Sequence, residues 1–326
     1  MRFIKLFSFF LFVVALQSCL NDKPGYWKND EISSGKRSDF NDLNKQLFAS
    51  LKADDNKQLG FIESQELLAD SYMNRQVELI SNSLKTENYK LLDEYYVVNK
   101  YKTFDTIYAA PKGVNAHKLI YSGTAREMYI AFFVNKAAKD KWLITATYSK
   151  YSYGWKLSDL DFAMYTINGK TAPELFEQAK AKYAKNYLVE ATNTMQLAGT
   201  LLRPSQAWIY NNEKDISEFY GKIVGEANAK YKFPIVLEQV PTHPRIFRVF
   251  SAEFNKGYYP QINYLSSIKL ADTAALKKEN EQVKKEISNI FTGVDKDKEY
   301  ILYSIFNEMP SSAKSVDRFN INDKLQ

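Results

Sequence analysis

At 326 residues, the chain is long enough for about two domains, each with its own core. Its composition is that of a globular protein with an excess of aromatic side chains, including 23 Tyr and 21 Phe. The formal charge of +6 is spread along the sequence, whereas nucleic-acid binding requires basic residues clustered in a patch or stripe. We therefore expect no nucleic acid partner.

The first 19 residues have the parts of a secretory leader. Arg2 and Lys5 form its charged start, an apolar stretch too short to cross a bilayer follows, and the motif Leu16–Cys19 (Leu-Gln-Ser-Cys) ends it. The motif resembles the lipobox of bacterial lipoproteins, which has an aliphatic residue three positions before an invariant cysteine and a small residue directly before it. The resemblance implies removal of a signal peptide, residues 1–18, and a diacylglycerol on the thiol of Cys19, whose new amine is usually acylated too.

This leader predicts where the protein resides. We expect a lipid-anchored protein of the bacterial cell envelope, in the outer membrane, with the membrane as partner through Cys19; the alternative is an ordinary secretory leader with a chance cysteine. Cys19 is the only cysteine, so disulfides, thiolate nucleophiles and cysteine zinc sites are excluded from the folded part. Residues 19–36 lack periodicity and are predicted to be a flexible tether. In it, Tyr26 and Trp27 fit either the lipid headgroup layer or packing onto the nearest domain.

Two helices are predicted after the tether. Ser38-Asp39 is predicted to cap the first, whose apolar residues have helical spacing: Phe40, Leu43, Leu47 and Leu51. The second begins near Ser64 and places one apolar stripe along its length: Ala69, Met73, Val77, Ile80 and Leu84. Both helices are therefore expected to bury one face.

The stretch from Lys118 to Asn168 predicts an antiparallel meander of three strands, at residues 126–136, 141–151 and 153–168. The first two strands are apolar at both odd and even positions, so both faces of the sheet should be covered. In the third strand the apolar positions change parity between Leu157 and Leu160. Such a change requires a bulge near residues 158–159, and the bulge decides which way Asp161 points.

These elements together resemble one known superfamily. Four elements carry the resemblance: the long helix at Ser64, a polar break, an aromatic run to Val98 that includes a second short helix, and the meander closing on Gly154–Leu157. In this order they are similar to the cone-shaped superfamily of nuclear transport factor 2. The resemblance covers residues 64–168. It implies a curved antiparallel sheet wrapped on helices, with a pocket at the open end. We therefore predict a helical prefix plus cone domain at residues 37–169.

The next segment predicts a helical connector at residues 170–232. Thr171 precedes a helix that has proline in its first turn, and the small and apolar residues that follow resemble one tetratricopeptide hairpin: Leu175, Ala179, Ala191, Met195 and Ala198. Lys182 departs from that pattern, because it occupies the usual aromatic position. One such repeat cannot stand alone, so the hairpin should pack between domains. A further amphipathic helix is predicted at residues 212–230.

The last third predicts a small α+β domain at residues 233–326. Strands at residues 235–240, 245–250 and 258–270 precede a charged amphipathic helix at 272–292, with Gly293 as its cap, and a strand at 300–306. The residues after Pro310 are predicted to be a weakly held tail. The predicted class of the whole chain is α+β.

Candidate chemistry is sparse. If the predicted bulge directs Asp161 into the cone pocket, burial would raise its pKa and suit it to proton transfer, and the superfamily's enzymes use such acids. His117, at the start of a strand, is a candidate partner. A solvent-facing role explains either residue without chemistry, and the sequence favours it. His243 lies between two prolines in a predicted rigid turn. Two unlinked histidines do not supply the ligands of a metal site, and no glycine-rich phosphate loop is present, so we expect neither metal nor cofactor.

The sequence thus favours a non-catalytic envelope lipoprotein, acting as a binding or scaffold module for an envelope protein or a small apolar ligand. One alternative is a cone-pocket enzyme, an isomerase, hydrolase or cyclase, that uses Asp161 and His117. The other is a glycan-binding surface lipoprotein, for which the aromatic excess would supply stacking surfaces.

Overall fold

The computed structural model describes residues 23–136, 139–311 and 313–325. The predicted leader and Cys19 lie outside the described residues. The chain divides into two compact units. Among the described residues, the first unit combines those up to Asp105 with Tyr121–Val134 and Ile144–Asp161, and the second combines those of Thr106–Ile120 and Asn135–Leu143 with those from Phe162 onwards.

The helices of the first unit lie between the first and second strands of its sheet in the sequence. They are α1 (Ser34–Ala53), α2 (Asn56–Ile62), α3 (Gln65–Leu68) and α4 (Ser71–Thr86). The spacing-based predictions hold for most positions of α1 and α4, whose buried apolar residues are Phe40, Leu47, Leu51, Met73, Val77, Ile80 and Leu84. They are wrong for Leu43, which is only half-buried, and for Ala69, which is exposed and caps the end of α3. The predicted starts shift: α1 begins at Ser34, and Ser64 caps α3 by accepting from the Leu67 amide. The short α3 therefore precedes the long helix.

A five-stranded sheet follows, in the order β1-β2-β5-β6-β7. Its strands are β1 (Gly25–Lys28), β2 (Tyr89–Val98), β5 (Glu127–Asn135), β6 (Trp142–Tyr151) and β7 (Gly154–Met164). The predicted meander is β5-β6-β7, and eight of the nine residues of β5 are buried, as expected for a sheet covered on both faces. Leu157 and Leu160, three positions apart, are both buried, as the predicted change of parity requires.

Two predictions in this region are wrong. Residues 25–36 are no flexible tether, because β1 pairs antiparallel with β2, from Gly25 opposite Val98 to Lys28 opposite Tyr95. The Trp27 ring stacks on Tyr96 with centroids 5.4 Å apart, so it packs onto the domain. The aromatic run ending at Val98 contains no second short helix, since residues 89–98 form β2 throughout. β-Branched and aromatic side chains favour the strand there.

In the second unit, β4 (His117–Ser122) pairs antiparallel with β8 (Trp208–Tyr210), and β3 (Phe104–Ala110) completes a three-stranded sheet in the order β3-β4-β8. Helices α5 (Ala172–Ala184) and α6 (Leu188–Thr200) form the predicted hairpin, with all five repeat-like positions buried. Thr171 and Glu174 make a capping box at the start of α5. Helix α7 (Glu213–Lys230) follows β8.

The C-terminal region has the predicted α+β composition. Its five-stranded sheet has the order β13-β12-β11-β10-β9, with strands β9 (Ile235–Val236), β10 (Arg245–Phe254), β11 (Gly257–Leu265), β12 (Tyr300–Phe306) and β13 (Phe319–Lys324). Helix α8 (Thr273–Ile290) buries its apolar face, with Leu276, Val283 and Ile287 inaccessible. The prediction of a weakly held tail is wrong for residues 319–324, because β13 pairs with β12 along its whole length.

The fold class is therefore α+β, as predicted. The finer resemblance to the cone-shaped superfamily and the three-part division at residues 169 and 232 stay predictions. Among the described residues, no helix combines the length and the hydropathy that crossing a membrane requires.

Candidate functional site

His117 lies in the second unit and takes part in an aromatic stack. Its ring lies on the Trp208 ring, with centroids 3.7 Å apart and planes 12° apart. Its Nδ1 is 2.9 Å from the carbonyl oxygen of Asn115. With 6% of its surface exposed, His117 is not the solvated strand-start residue that the sequence also allowed.

Asp161 lies in the first unit and is buried, as the pocket hypothesis requires. The clearer electrostatic effect is at its neighbour Asp159. Burial raises the pKa of Asp159 to about 6, and the negative charges of Asp161 and then Asp70 contribute to the increase. This stretch of β7 therefore holds a carboxyl group whose pKa is raised well above its ordinary value. The proposed pairing of Asp161 with His117 as acid and base stays a prediction.

The sequence did not point to a further candidate site in the first unit. Helix α1 and strands β2 and β5 contribute to a cleft of about 550 Å³, named here the polar cleft. The residues that line it are Asn29, Asp30, Ser34, Arg37, Ser38, Asn41, Asn44, Leu91, Leu92, Glu94 and Phe133.

A chain of buried hydrogen bonds forms the inner wall of the polar cleft. Asn44 Nδ2 donates to the Tyr129 hydroxyl at 2.8 Å, and that hydroxyl donates to Glu94 Oε2 at 2.7 Å. Asn44 and Glu94 are each only 7% exposed, and Tyr129 is fully buried. The fold therefore removes an amide, a phenol and a carboxylate from bulk water at one place.

Local structure explains how these side chains come together. Asn44 lies on the apolar face of α1, one turn after Phe40 and one turn before Leu47, so the helix points it inward. The Phe40 ring stacks on the Tyr129 ring with centroids 4.0 Å apart. Glu94 precedes four buried residues of β2. Its position is fixed further because its backbone N–H donates to Asn29 Oδ1 at 2.9 Å.

The electrostatics of the polar cleft favour binding over proton transfer. Burial raises the pKa of Tyr129, and the adjacent Glu94 carboxylate raises it further, so the phenol stays a neutral donor. Asn44 Oδ1 is buried and has no hydrogen-bond partner in the described part of the chain. An unpaired buried acceptor is costly, and Asn44 is one of the residues that line the cleft.

The outer part of the polar cleft differs from its inner wall. Arg37 and Asp30 form an ion pair there, while Leu91, Leu92 and Phe133 supply an apolar side. The arrangement can hold a small molecule that has both hydrogen-bonding groups and an apolar face. It contains no nucleophile hydrogen-bonded to a base, which covalent catalysis would require.

Two signals in the sequence mark this site in retrospect. Asn44 interrupts the apolar stripe of α1, and Glu94 is an acid directly before the run Tyr-Tyr-Val-Val of β2. A polar residue at a position where periodicity demands an apolar one is either paired or functional. Asn44, Glu94 and Tyr129 are far apart in the sequence, so the sequence alone did not indicate that they are in contact.

Metal chemistry has no support in the described residues, where no three His, Cys, Asp or Glu side chains gather in a way that could hold an ion. The chain was also compared with known proteins. Neither protein-family models nor curated proteins nor solved structures give a match to it.

Proposed function

We propose that this chain is a non-catalytic, lipid-anchored binding protein of the bacterial cell envelope, and that its ligand site is the polar cleft of the first unit. The anchor is supported by the lipobox-like motif Leu16–Cys19. The binding role is supported by one observation above others, the buried chain Asn44–Tyr129–Glu94 in the cleft wall. Buried polar groups cost stability unless they are paired, so an unpaired amide oxygen there favours a ligand that completes the pairing.

The lining favours a polyhydroxylated ligand such as a saccharide. Glu94 and Asn44 supply acceptors for sugar hydroxyls, Arg37 and the serine hydroxyls of α1 supply donors, and Leu91 faces the same space. Sites for small ligands combine a few fixed polar groups with apolar walls in this way. The small apolar ligand predicted from the sequence is less well matched, because it would leave the buried acceptor without a partner.

Saccharide binding is tested with the full chain in detergent and a panel of neutral mono- and disaccharides, by saturation-transfer NMR followed by calorimetry. Glu94→Gln keeps the shape but weakens the acceptor, and we expect it to reduce affinity about tenfold, the effect of one hydrogen bond to a charged group. Glu78→Gln is the matched control, because Glu78 is exposed on α4 in the same unit. Absence of binding by every saccharide, or equal effects of the two substitutions, would reject the saccharide site.

The anchor is tested by Cys19→Ala. We expect the variant to move from the membrane fraction to the soluble fraction of cells. If it stays with the membranes, the lipid anchor on Cys19 is rejected while the saccharide test remains valid.

An enzyme of the cone-pocket type is the second candidate, supported by the raised pKa of Asp159 next to the buried Asp161. In this hypothesis Asp161 and His117 act as the acid and base of an isomerase, hydrolase or cyclase. It predicts that any turnover found in a substrate screen is lost in both Asp161→Asn and His117→Gln. Turnover that survives either substitution would exclude this mechanism.

A further inference from the structure

The second unit has a cleft of its own, of about 660 Å³, named here the basic cleft. Its main lining residues are Tyr108, Lys118, Arg203, Ile209, Glu213 and Lys214. They come from β3, β4, the loop before β8, β8 itself and the first turn of α7. The polar cleft and the basic cleft share no lining residue.

Strand alternation places the floor of the basic cleft on one face of the β3-β4-β8 sheet. Lys118 and Ile209 are direct cross-strand partners. Their chain neighbours Leu119 and Trp208 are buried, whereas Lys118 and Ile209 are only half-buried. Since successive strand residues point to opposite faces, one face of the sheet packs inward and the other forms the cleft floor. Tyr108, with 66% of its surface exposed, extends this floor on β3.

The cleft carries a net positive charge. Three of its side chains are cationic, Lys118, Arg203 and Lys214, against the single carboxylate of Glu213. In the described part of the chain Lys118 is in no ion pair, although it is half-buried. Concave surfaces lined by one sign of charge concentrate ligands of the opposite sign.

Arg203 is held in position before any ligand arrives. Its guanidinium donates to the Trp208 carbonyl oxygen at 3.3 Å and to Glu213 Oε2 at 2.5 Å. The start of the 18-residue helix α7 adds outward-pointing backbone N–H groups, since the side chain of the N-cap residue, Asn212, makes no capping hydrogen bond; Glu213 and Asp215 are the acidic residues of the same turn. A fixed guanidinium beside a helix start is a favourable arrangement for an oxyanion.

From this geometry we infer a second ligand site, in the basic cleft, for a compact phosphorylated molecule that has an apolar part. The phosphate lies between Lys118, Arg203 and the start of α7, and the apolar part lies on Tyr108 and Ile209. The phosphate source is either a soluble monoester or a phospholipid headgroup. This inference does not rest on the proposed saccharide site.

The test is calorimetric titration of the full chain in detergent with phenyl phosphate, and with dihexanoyl phosphatidylglycerol and dihexanoyl phosphatidylcholine as soluble lipid probes. We expect phenyl phosphate to bind and Lys118→Gln to weaken it about tenfold, the effect of one charge-assisted hydrogen bond. Lys277→Gln is the matched control, because Lys277 is exposed on α8 in the same unit. Lys214→Gln serves as the second variant if Lys118→Gln loses its circular dichroism signal.

Each outcome of the titrations either supports or overturns the inference. Competition between phosphatidylglycerol and phenyl phosphate supports the site and assigns it to a lipid headgroup; binding of phenyl phosphate alone supports it and assigns it to a soluble monoester. Absence of heat with every phosphate probe overturns the inference. Equal weakening by Lys118→Gln and Lys277→Gln, or equal binding of phosphatidylcholine, also overturns it, because the attraction would then be unspecific.

Discussion

The two units bury a carboxylate in different ways. In the first, Glu94 accepts a hydrogen bond from the neutral Tyr129 hydroxyl at 2.7 Å. In the second, Glu190, only 2% exposed, lies between two ammonium groups, with Lys182 Nζ at 3.1 Å and Lys298 Nζ at 2.8 Å. Burial lowers the pKa of Lys182, an effect that the Glu190 charge partly offsets. The Glu94 carboxylate is stabilised by a neutral hydrogen-bond donor, whereas the Glu190 carboxylate is stabilised by two positive charges. Breaking the interaction at Glu190 should therefore cost far more stability.

The largest effect is expected from Glu190→Gln. It leaves two half-buried lysines, with side chains 19% and 17% exposed, without their shared counter-ion. Breaking a buried ion pair from one side costs about 3–5 kcal/mol. The free energy of unfolding in urea at pH 7 measures this loss. Glu177→Gln, at an exposed pair with Lys180 on α5, should cost less than about 1 kcal/mol. Similar losses in both variants would show that the buried cluster contributes nothing beyond a surface pair.

A smaller loss is expected from Tyr129→Phe, which removes the hydroxyl that joins Asn44 to Glu94. Leaving buried polar partners unpaired should cost about 1–3 kcal/mol. Tyr148→Phe is the matched control in the same unit, because the Tyr148 hydroxyl is buried and has no hydrogen-bond partner in the described part of the chain. Its removal should be neutral or stabilising in urea unfolding. A control that destabilises as much as Tyr129→Phe would refute the role of the hydrogen-bond chain.

The smallest predicted effect is a gain in stability, whereas the two substitutions above lower it. The pKa of Asp159 rises on folding from 3.8 to about 6, so the folded state binds this proton more tightly and stability falls as the pH increases through that window. Asp159→Asn removes the penalty and should stabilise the protein by about 1–2 kcal/mol at pH 7.5, with little effect at pH 3.5. Thermal unfolding at both pH values measures it. Asp42→Asn, at an exposed carboxylate, is the matched control, and an equal stabilisation there would contradict the role of burial at Asp159.

Periodicity predicted the regular parts of this fold well. The helices α4, α5 and α8 follow a repeat of 3.6 residues, and the first two strands of the meander are apolar at both parities. Leu157 and Leu160 are both buried, as the change of parity in the third strand indicated. Such patterns are local, so a single sequence shows them. The departure of Lys182 from the tetratricopeptide pattern was informative too, because the position holds an ion pair with Glu190 instead of an aromatic ring.

Pairing between distant segments was not predictable in the same way. Strand β1 was missed because Gly25–Lys28 becomes a strand only through pairing with β2, some 70 residues later. Strand β13 was missed for the same reason. Its alternating polar residues do not by themselves predict a strand, and it is ordered by pairing with β12. The polar cleft depends on Asn44, Glu94 and Tyr129, whose proximity only the folded chain reveals.

The pairing of β1 with β2 also limits how far the first unit can extend from a lipid on Cys19. If Cys19 carries lipid, only six Cα–Cα steps separate it from Gly25, where the ordered strand starts. At about 3.5 Å per residue, a fully extended segment of that length reaches about 20 Å. If the proposed lipid is present, the first unit is therefore held within about 20 Å of the bilayer surface, and a ligand of the polar cleft would be captured close to the membrane.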